Sequence, residues 1–243
     1  MPPKRPTRVD AVVEQLLDDI VAGRYAPGSM LPNEMELARQ TGTSRLTVRE
    51  AVTVLRAKRL VEVRQGAGTV VCPASDWSLL DSAVLLARVK HGGSGTAMSK
   101  AFLEARRVVE VAVAELAAAR RTPAHLDLLT TALQRMESAH AVADVGAFVE
   151  GDILFHQAVL DAAGNVFLVA LFHPLGEVLQ VTRHQTSSHP EIREHAIMRH
   201  RAILAALQEG SLTLAKQAMA DHMQQTSDDI DTYVGRPLMS TLP

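Results

Sequence analysis

The stretch from Leu31 to Val71, LPNEMELARQTGTSRLTVREAVTVLRAKRLVEVRQGAGTVV, constrains this chain more than any other, because it strings two short helices, a tight turn and a hairpin together. Asn33 is a good N-cap ahead of EMELARQ, where Leu37 and Ala38 supply the apolar contact and Gly42 the stop. Ser44 caps the next helix. Its apolar positions, Val48, Ala51, Val52 and Leu55, share one face, and Arg45, Thr47, Arg49 and Arg56 share the other. Two helices joined by a short turn containing glycine make a helix-turn-helix, whose second helix offers its N-terminal residues to base edges. Leu60, Val61, Val63, Val70 and Val71 then flank the turn Gln65-Gly66-Ala67-Gly68, the pattern of a hairpin, or wing.

The charge distribution agrees with a DNA-reading module. Residues 45 to 64 hold Arg45, Arg49, Arg56, Lys58, Arg59 and Arg64 against only Glu50 and Glu62, which concentrates positive charge where a phosphate backbone would lie. The residues expected to contact DNA are Ser44, Arg45, Thr47 and Arg49 at the start of the second helix, with Arg64, Gln65 and Gly66 at the wing. The run Leu31-Pro32-x-Glu34-x-Glu36-Leu37-Ala38, then Ser44-Arg45-x-Thr47-Val48-Arg49-Glu50-Ala51, then Leu60-Val61 and Gly66-x-Gly68-Thr69 resembles the winged helix-turn-helix of the GntR family of bacterial transcription regulators. The likeness covers residues 10 to 72. Met35 departs from it, standing where many members carry a basic residue that reaches a base, which implies a different preferred operator.

Charge also divides the chain. Residues 1 to 73 hold 11 basic against 8 acidic residues, and residues 74 to 243 hold 14 against 19, so only the N-terminal part suits nucleic acid. A single cysteine, Cys72, rules out an internal disulfide framework and fits a reducing compartment. The basic N-terminus MPPKRPTR runs into the amphipathic DAVVEQLLDDIV rather than an apolar segment, and no uncharged run approaches the ~20 residues of a membrane span. The expected location is the cytoplasm, with no membrane partner.

In chain order, residues 1 to 9 read as a Pro-rich basic arm, and Asp10 as the cap of a helix with Val13, Leu16, Leu17 and Ile20 on its inner stripe. The expected division is a winged helix-turn-helix domain over 1–72, a linker over 73–78, an all-helical domain over 79–235 and a tail over 236–243. Trp77 reads as a packing anchor between the domains, because one aromatic alone makes no stacking platform. Helices are expected at 79–90, 99–121, 123–141, 144–163, 165–185, 191–209 and 212–233, and no strand pattern follows Val71. The fold class is therefore mostly α, a winged helix-turn-helix followed by an all-α bundle.

Among ten histidines, three fall on apolar stripes. Asp152 and His156 are four apart beside Phe148, Phe155 and Val159; His200 lies with Ile197, Ile203, Leu204 and Leu207; His222 lies with Leu214, Ala218, Met219 and Met223. One carboxylate and three imidazoles thus aim at the bundle interior. Burying them together is costly unless a divalent cation compensates. Three nitrogens and one oxygen suit zinc first, with nickel, manganese or iron as alternatives. His91, His125, His140, His173, His184, His189 and His195 fall at helix ends, in loops or off these stripes, and read as surface residues.

This half also resembles a family. Asp152-x-x-x-His156, His200-Arg201-Ala202-Ile203 and Asp221-His222-Met223 are similar to the metal-ligand pattern of the FCD effector domain of the FadR subgroup of GntR regulators, with all four ligand positions filled. Glu104-Ala105-Arg106-x-x-x-Glu110 matches as well, and the resemblance implies that Arg106 reaches into the same cavity as an effector-binding group. Arg106 is equally placed for an i,i+4 pair with Glu110. A metal and a guanidinium together suit a small organic acid, and Trp77-Ser78-Leu79-Leu80-Asp81 resembles members that respond to sugar acids. The implied function is a ligand-responsive regulator, a repressor, that binds a palindromic double-stranded operator as a homodimer. Two alternatives keep the metal but change its use: a metal-dependent hydrolase tethered to DNA, and a direct metal sensor.

Overall fold

The computed structural model describes residues 7–66, 68–92 and 97–234. The start of the basic arm, Ala67 of the hairpin turn, the glycine-rich break at 93–96 and the expected tail lie outside these residues. The chain divides into two compact units between residues 91 and 92.

The N-terminal unit begins with α1 (Arg8–Val21), capped by Thr7 rather than by Asp10. Asp10 is the third helical residue and completes a capping box: its amide donates to Thr7 Oγ1 at 3.1 Å, and its carboxylate accepts from the Thr7 amide at 2.7 Å. Helix α2 (Glu34–Thr41) starts where Asn33 Oδ1 accepts from the amides of Met35 and Glu36. It ends at Gly42, whose φ of 63° is the left-handed conformation that glycine adopts without a Cβ clash. Ser44 caps α3 (Arg45–Ala57), which buries Val48, Ala51, Val52 and Leu55. Strands β1 (Val61–Arg64) and β2 (Gly68–Val71) pair antiparallel, with Val61 opposite Val71 and Arg64 opposite Gly68.

The first unit extends further than composition suggests. Trp77 and, on α4 (Ser82–Gly92), Val84 and Ala87 are buried in the same core as Leu16, Leu55 and Val71. Trp77 Nε1 donates to the Cys72 carbonyl at 3.0 Å, so this ring anchors within the N-terminal unit and not between domains. His91 Nε2 lies 2.8 Å from Asp18 Oδ1 on α1. The segment over 73–78 is accordingly part of a packed connection, and the helix expected to open the second domain belongs to the first. That a helix forms here was readable; which core it covers was not.

The second unit is an all-α bundle of α5 (Ala97–Arg120), α6 (Pro123–Ala141), α7 (Val145–Ala162), α8 (Val166–Phe172), α9 (Gly176–Thr186), α10 (Pro190–Glu209) and α11 (Leu212–Asp229). Its core joins Ala114, Ala117 and Ala118 of α5, Leu129 and Met136 of α6, Phe148 and Phe155 of α7, Ile203 and Leu207 of α10, and Met219 of α11. Small side chains let the helices approach closely. A Cβ on Gly151 of α7 would meet Met136 Cγ at 2.9 Å and the Ala132 carbonyl at 3.1 Å. The single helix expected over 165–185 is two, separated by a 3-10 turn at His173–Leu175. Pro174 has no amide hydrogen to continue an α-helical ladder. Among the described residues no helix is long and apolar enough to cross a membrane.

Candidate functional site

The first candidate surface is the start of α3 and the tip of the hairpin. Ser44 is committed to the helix: its Oγ accepts from the Thr47 amide at 3.1 Å and lies 2.9 Å from Thr47 Oγ1. Arg45 and Arg49 are exposed at the same helix end. Arg45 is only loosely held, 4.0 Å from Glu34, and Arg64 on β1 lies 3.4 Å from Glu62. Such exposed pairs are screened and worth little, so both guanidiniums can leave them for phosphates or bases. Gln65 and Gly66 are exposed at the hairpin tip. Met35 is 66% exposed at the start of α2 and so presents an apolar side chain to solvent.

The second candidate is a buried polar cluster in the bundle, and it contains the four ligands expected from sequence. Asp152, His200 and His222 are buried and His156 nearly so. They come from α7, α10 and α11, as their stripes suggest. One ring nitrogen from each histidine lies within 4.8 Å of the other two. His156 Nε2, His200 Nε2 and His222 Nδ1 are buried without a hydrogen-bond partner. Their orphaned state is informative, since buried polar atoms are almost always satisfied.

The protonation pattern sharpens the point. His200 Nδ1 lies 2.7 Å from the Ala196 carbonyl, which can only accept, so Nδ1 carries a proton and Nε2 is the nitrogen turned towards the cluster. That Nε2 sits 3.0 Å from Asp152 Oδ1. A positive charge between the two atoms, whether a proton on Nε2 or a shared metal ion, satisfies both. His156 Nδ1 is 2.7 Å from Glu110 Oε2, and the carboxylate favours the proton on that side, freeing Nε2.

Burial, reinforced by Arg183, pushes His156 down to about 4. Burial and the neighbouring His200 and His156 rings hold His222 well below the usual imidazole range. Burial opposes the charge on Glu110, yet Arg106, His156 and Arg183 hold its carboxyl well below the usual carboxylate range. Asp152 is likewise held low against burial by Arg183, His200 and His156. His156 and His222 are thus held neutral beside ionised carboxylates, the protonation state that metal ligands require. The donor set fits a divalent metal of the zinc type.

Two residues that spacing did not single out complete the cluster. Arg183 of α9 places Nη1 2.8 Å from Asp152 Oδ2. Glu110, expected only as a neighbour of Arg106, bridges Arg106 Nε at 2.7 Å and His156. No periodicity marks Arg183, because the break at Pro174 resets the helical register. A cavity of about 360 Å³ adjoins the cluster, with Glu110, His156, Gln157, His173 and Arg183 as its polar lining and Val113, Val169, Phe172, Leu179 and Met219 among its apolar lining. Arg106, the guanidinium expected in the cavity, is not among its lining residues. His173, expected at the surface, is exposed but contributes to the cavity wall.

A winged reading module in one chain with this kind of bundle defines the class of the molecule as a DNA-binding regulator. Comparison with known proteins agrees. Residues 8–71 match the model of bacterial regulatory proteins of the gntR family, and residues 101–225 match the FCD domain. The chain is 34% identical over 212 residues to the galactonate operon transcriptional repressor of Escherichia coli, covering 87% of this chain and 91% of that one. It is 32% identical over 218 residues to the transcriptional regulator LutR of Bacillus subtilis, covering 87% and 95%, and 33% identical over 212 residues to the Uxu operon transcriptional regulator of E. coli, covering 85% and 80%. A solved structure of Lar from Listeria monocytogenes shares the fold, with a TM-score of 0.65 at 21% identity over 95% of this chain and all of that one. The chain belongs to the GntR family of transcription regulators, in the group that carries an FCD domain. It is a regulator and not an enzyme, so the tethered hydrolase is set aside.

Proposed function

We propose that the protein is a ligand-responsive repressor whose FCD domain holds a divalent cation, zinc first, on Asp152, His156, His200 and His222, and senses a small organic acid. The observation that carries this reading is the convergence of one ring nitrogen each from His156, His200 and His222 within 4.8 Å of one another, with His200 Nε2 3.0 Å from Asp152 Oδ1. When bound, the cation neutralises Asp152 and offers open positions to a carboxylate. The surrounding residues orient the ligands: the Ala196 carbonyl sets the His200 ring, Glu110 sets His156, and Arg106 sets Glu110.

Charge arithmetic also favours an anionic effector. Arg106 and Arg183 balance Glu110 and Asp152, so a divalent cation leaves the cluster positive. A carboxylate reduces that excess. Sugar acids come first among candidates, since one relative is named for the galactonate operon. In the DNA-bound form, a homodimer in the cytoplasm places two copies of Arg45, Thr47 and Arg49, with Ser44 fixing the helix start and Arg64, Gln65 and Gly66 on the flanking backbone, on half-sites of a palindromic operator. Effector binding shifts operator affinity by a coupling on the order of 1–3 kcal/mol.

The test is operator titration by fluorescence anisotropy on protein whose metal content has been measured, with and without galactonate and other small carboxylates. The reading expects about one divalent ion per chain and a carboxylate-dependent change in operator affinity. Metal-free protein that cannot be loaded, or operator affinity indifferent to every carboxylate, would overturn it.

A further inference from the structure

We infer that Arg183 is the group that grips the effector's carboxylate, an assignment that rests on the organic-acid reading above and narrows it to one side chain. Arg183 is 8% exposed, and its guanidinium is only half used. Nη1 lies 2.8 Å from Asp152 Oδ2. Nη2 is buried and has no hydrogen-bond partner. A guanidinium carries its donors in a rigid planar fork, and leaving a buried charged donor unpaired is unfavourable.

Arg183 is also part of the wall of the 360 Å³ cavity. Asp152 therefore fixes a guanidinium at the cavity with one nitrogen left over. Its natural partner is an oxygen anion, and a carboxylate matches the planar fork. Val169, Phe172, Leu179 and Met219 supply no strong donors, so the charged end of a ligand finds few alternatives along that wall. Arg106 is the competing guanidinium, but its Nε is engaged by Glu110 Oε1 at 2.7 Å and it does not line the cavity. Arg106 is thus a positioning residue for Glu110 and His156.

Calorimetry and thermal shift on the full-length, metal-analysed protein test the assignment, with acetate and galactonate as probes at constant ionic strength. Wild type is compared with Arg183→Lys, Arg183→Gln and Arg106→Lys. Arg183→Lys keeps a cation for Asp152 and loses the fork, so it remains informative if Arg183→Gln fails to fold. The expected result is saturable stabilisation of wild type by at least one probe, weakened on the order of 10- to 100-fold in Arg183→Lys when the two proteins are compared at equal measured metal occupancy. Undiminished affinity in Arg183→Lys, a loss confined to Arg106→Lys, or no response of metal-loaded wild type to either probe would each overturn the assignment. A protein that takes up no metal yet shows an Arg183-dependent acetate response would sink the metal reading while supporting this one.

Discussion

The two units handle charge in opposite ways. In the N-terminal unit Arg45, Arg49 and Arg64 stand in water on short, well-capped elements, and their pairs with acidic neighbours are loose, at 4.0 Å for Arg45 and 3.4 Å for Arg64. In the C-terminal unit Arg106, Glu110, Asp152 and Arg183 are buried, and each charge meets an opposite one at 2.7 or 2.8 Å. A surface that exchanges partners with a polyanion keeps its cations hydrated, because the cost of leaving water is then small. A cavity of the kind proposed for a small acid does the reverse, since burial strengthens each polar contact and penalises each one left unmade.

That contrast can be broken by single changes. His200→Ala removes a cluster ligand and should lower metal affinity by more than the ~10- to 100-fold typical of losing a supporting residue, while operator binding by the ligand-free protein persists. Metal content equal to wild type would show that the cluster is only structural. Acid should act on the same unit. The folded His156 value of about 4 lies below the unfolded 6.5, so the unfolded chain takes up the proton first. The stabilising contribution of a neutral His156 is complete above pH 6.5 and is lost as pH falls towards 4. The difference amounts to roughly 3 kcal/mol in the metal-free protein, and urea midpoints that stay constant across this range would contradict it.

Arg49→Ala probes the exposed unit. It should weaken operator binding by about 1–3 kcal/mol, read by anisotropy, with metal content and melting temperature unchanged. Loss of metal in this variant would mean that the units are not energetically separate. Gly151→Ala is the smallest change in chemistry. It forces a methyl into the 2.9 Å approach to Met136 and should cost about 1–3 kcal/mol in denaturant titration. A neutral result would mean that α6 and α7 can slide apart without loss.

Much of the reading unit was legible because its determinants are local. Asn33, Gly42 and Ser44 punctuate α2 and α3 within a few residues of the atoms they cap, and the alternation around Gln65 and Gly66 marks the hairpin. In the bundle, Asp152 and His156 sit one turn apart, and His200 and His222 each interrupt an apolar stripe, so their inward direction followed from helical periodicity. Thr7 took the cap that Asp10 was expected to provide because either side chain can accept from a neighbouring amide, and the helix start decides between them.

What sequence determined by itself is therefore what acts over one or two turns: the caps, the breaks, the buried face of each helix and the type of donor it carries. Tertiary structure decided which of these faces meet. It assigned Val84 and Ala87 to the core of the first unit, aligned His200 Nε2 with Asp152, inserted Glu110 between Arg106 and His156, and brought Arg183 from α9 to Asp152. Such pairings join residues far apart in the chain, and their energies depend on distance and burial, which arise only once the helices have packed.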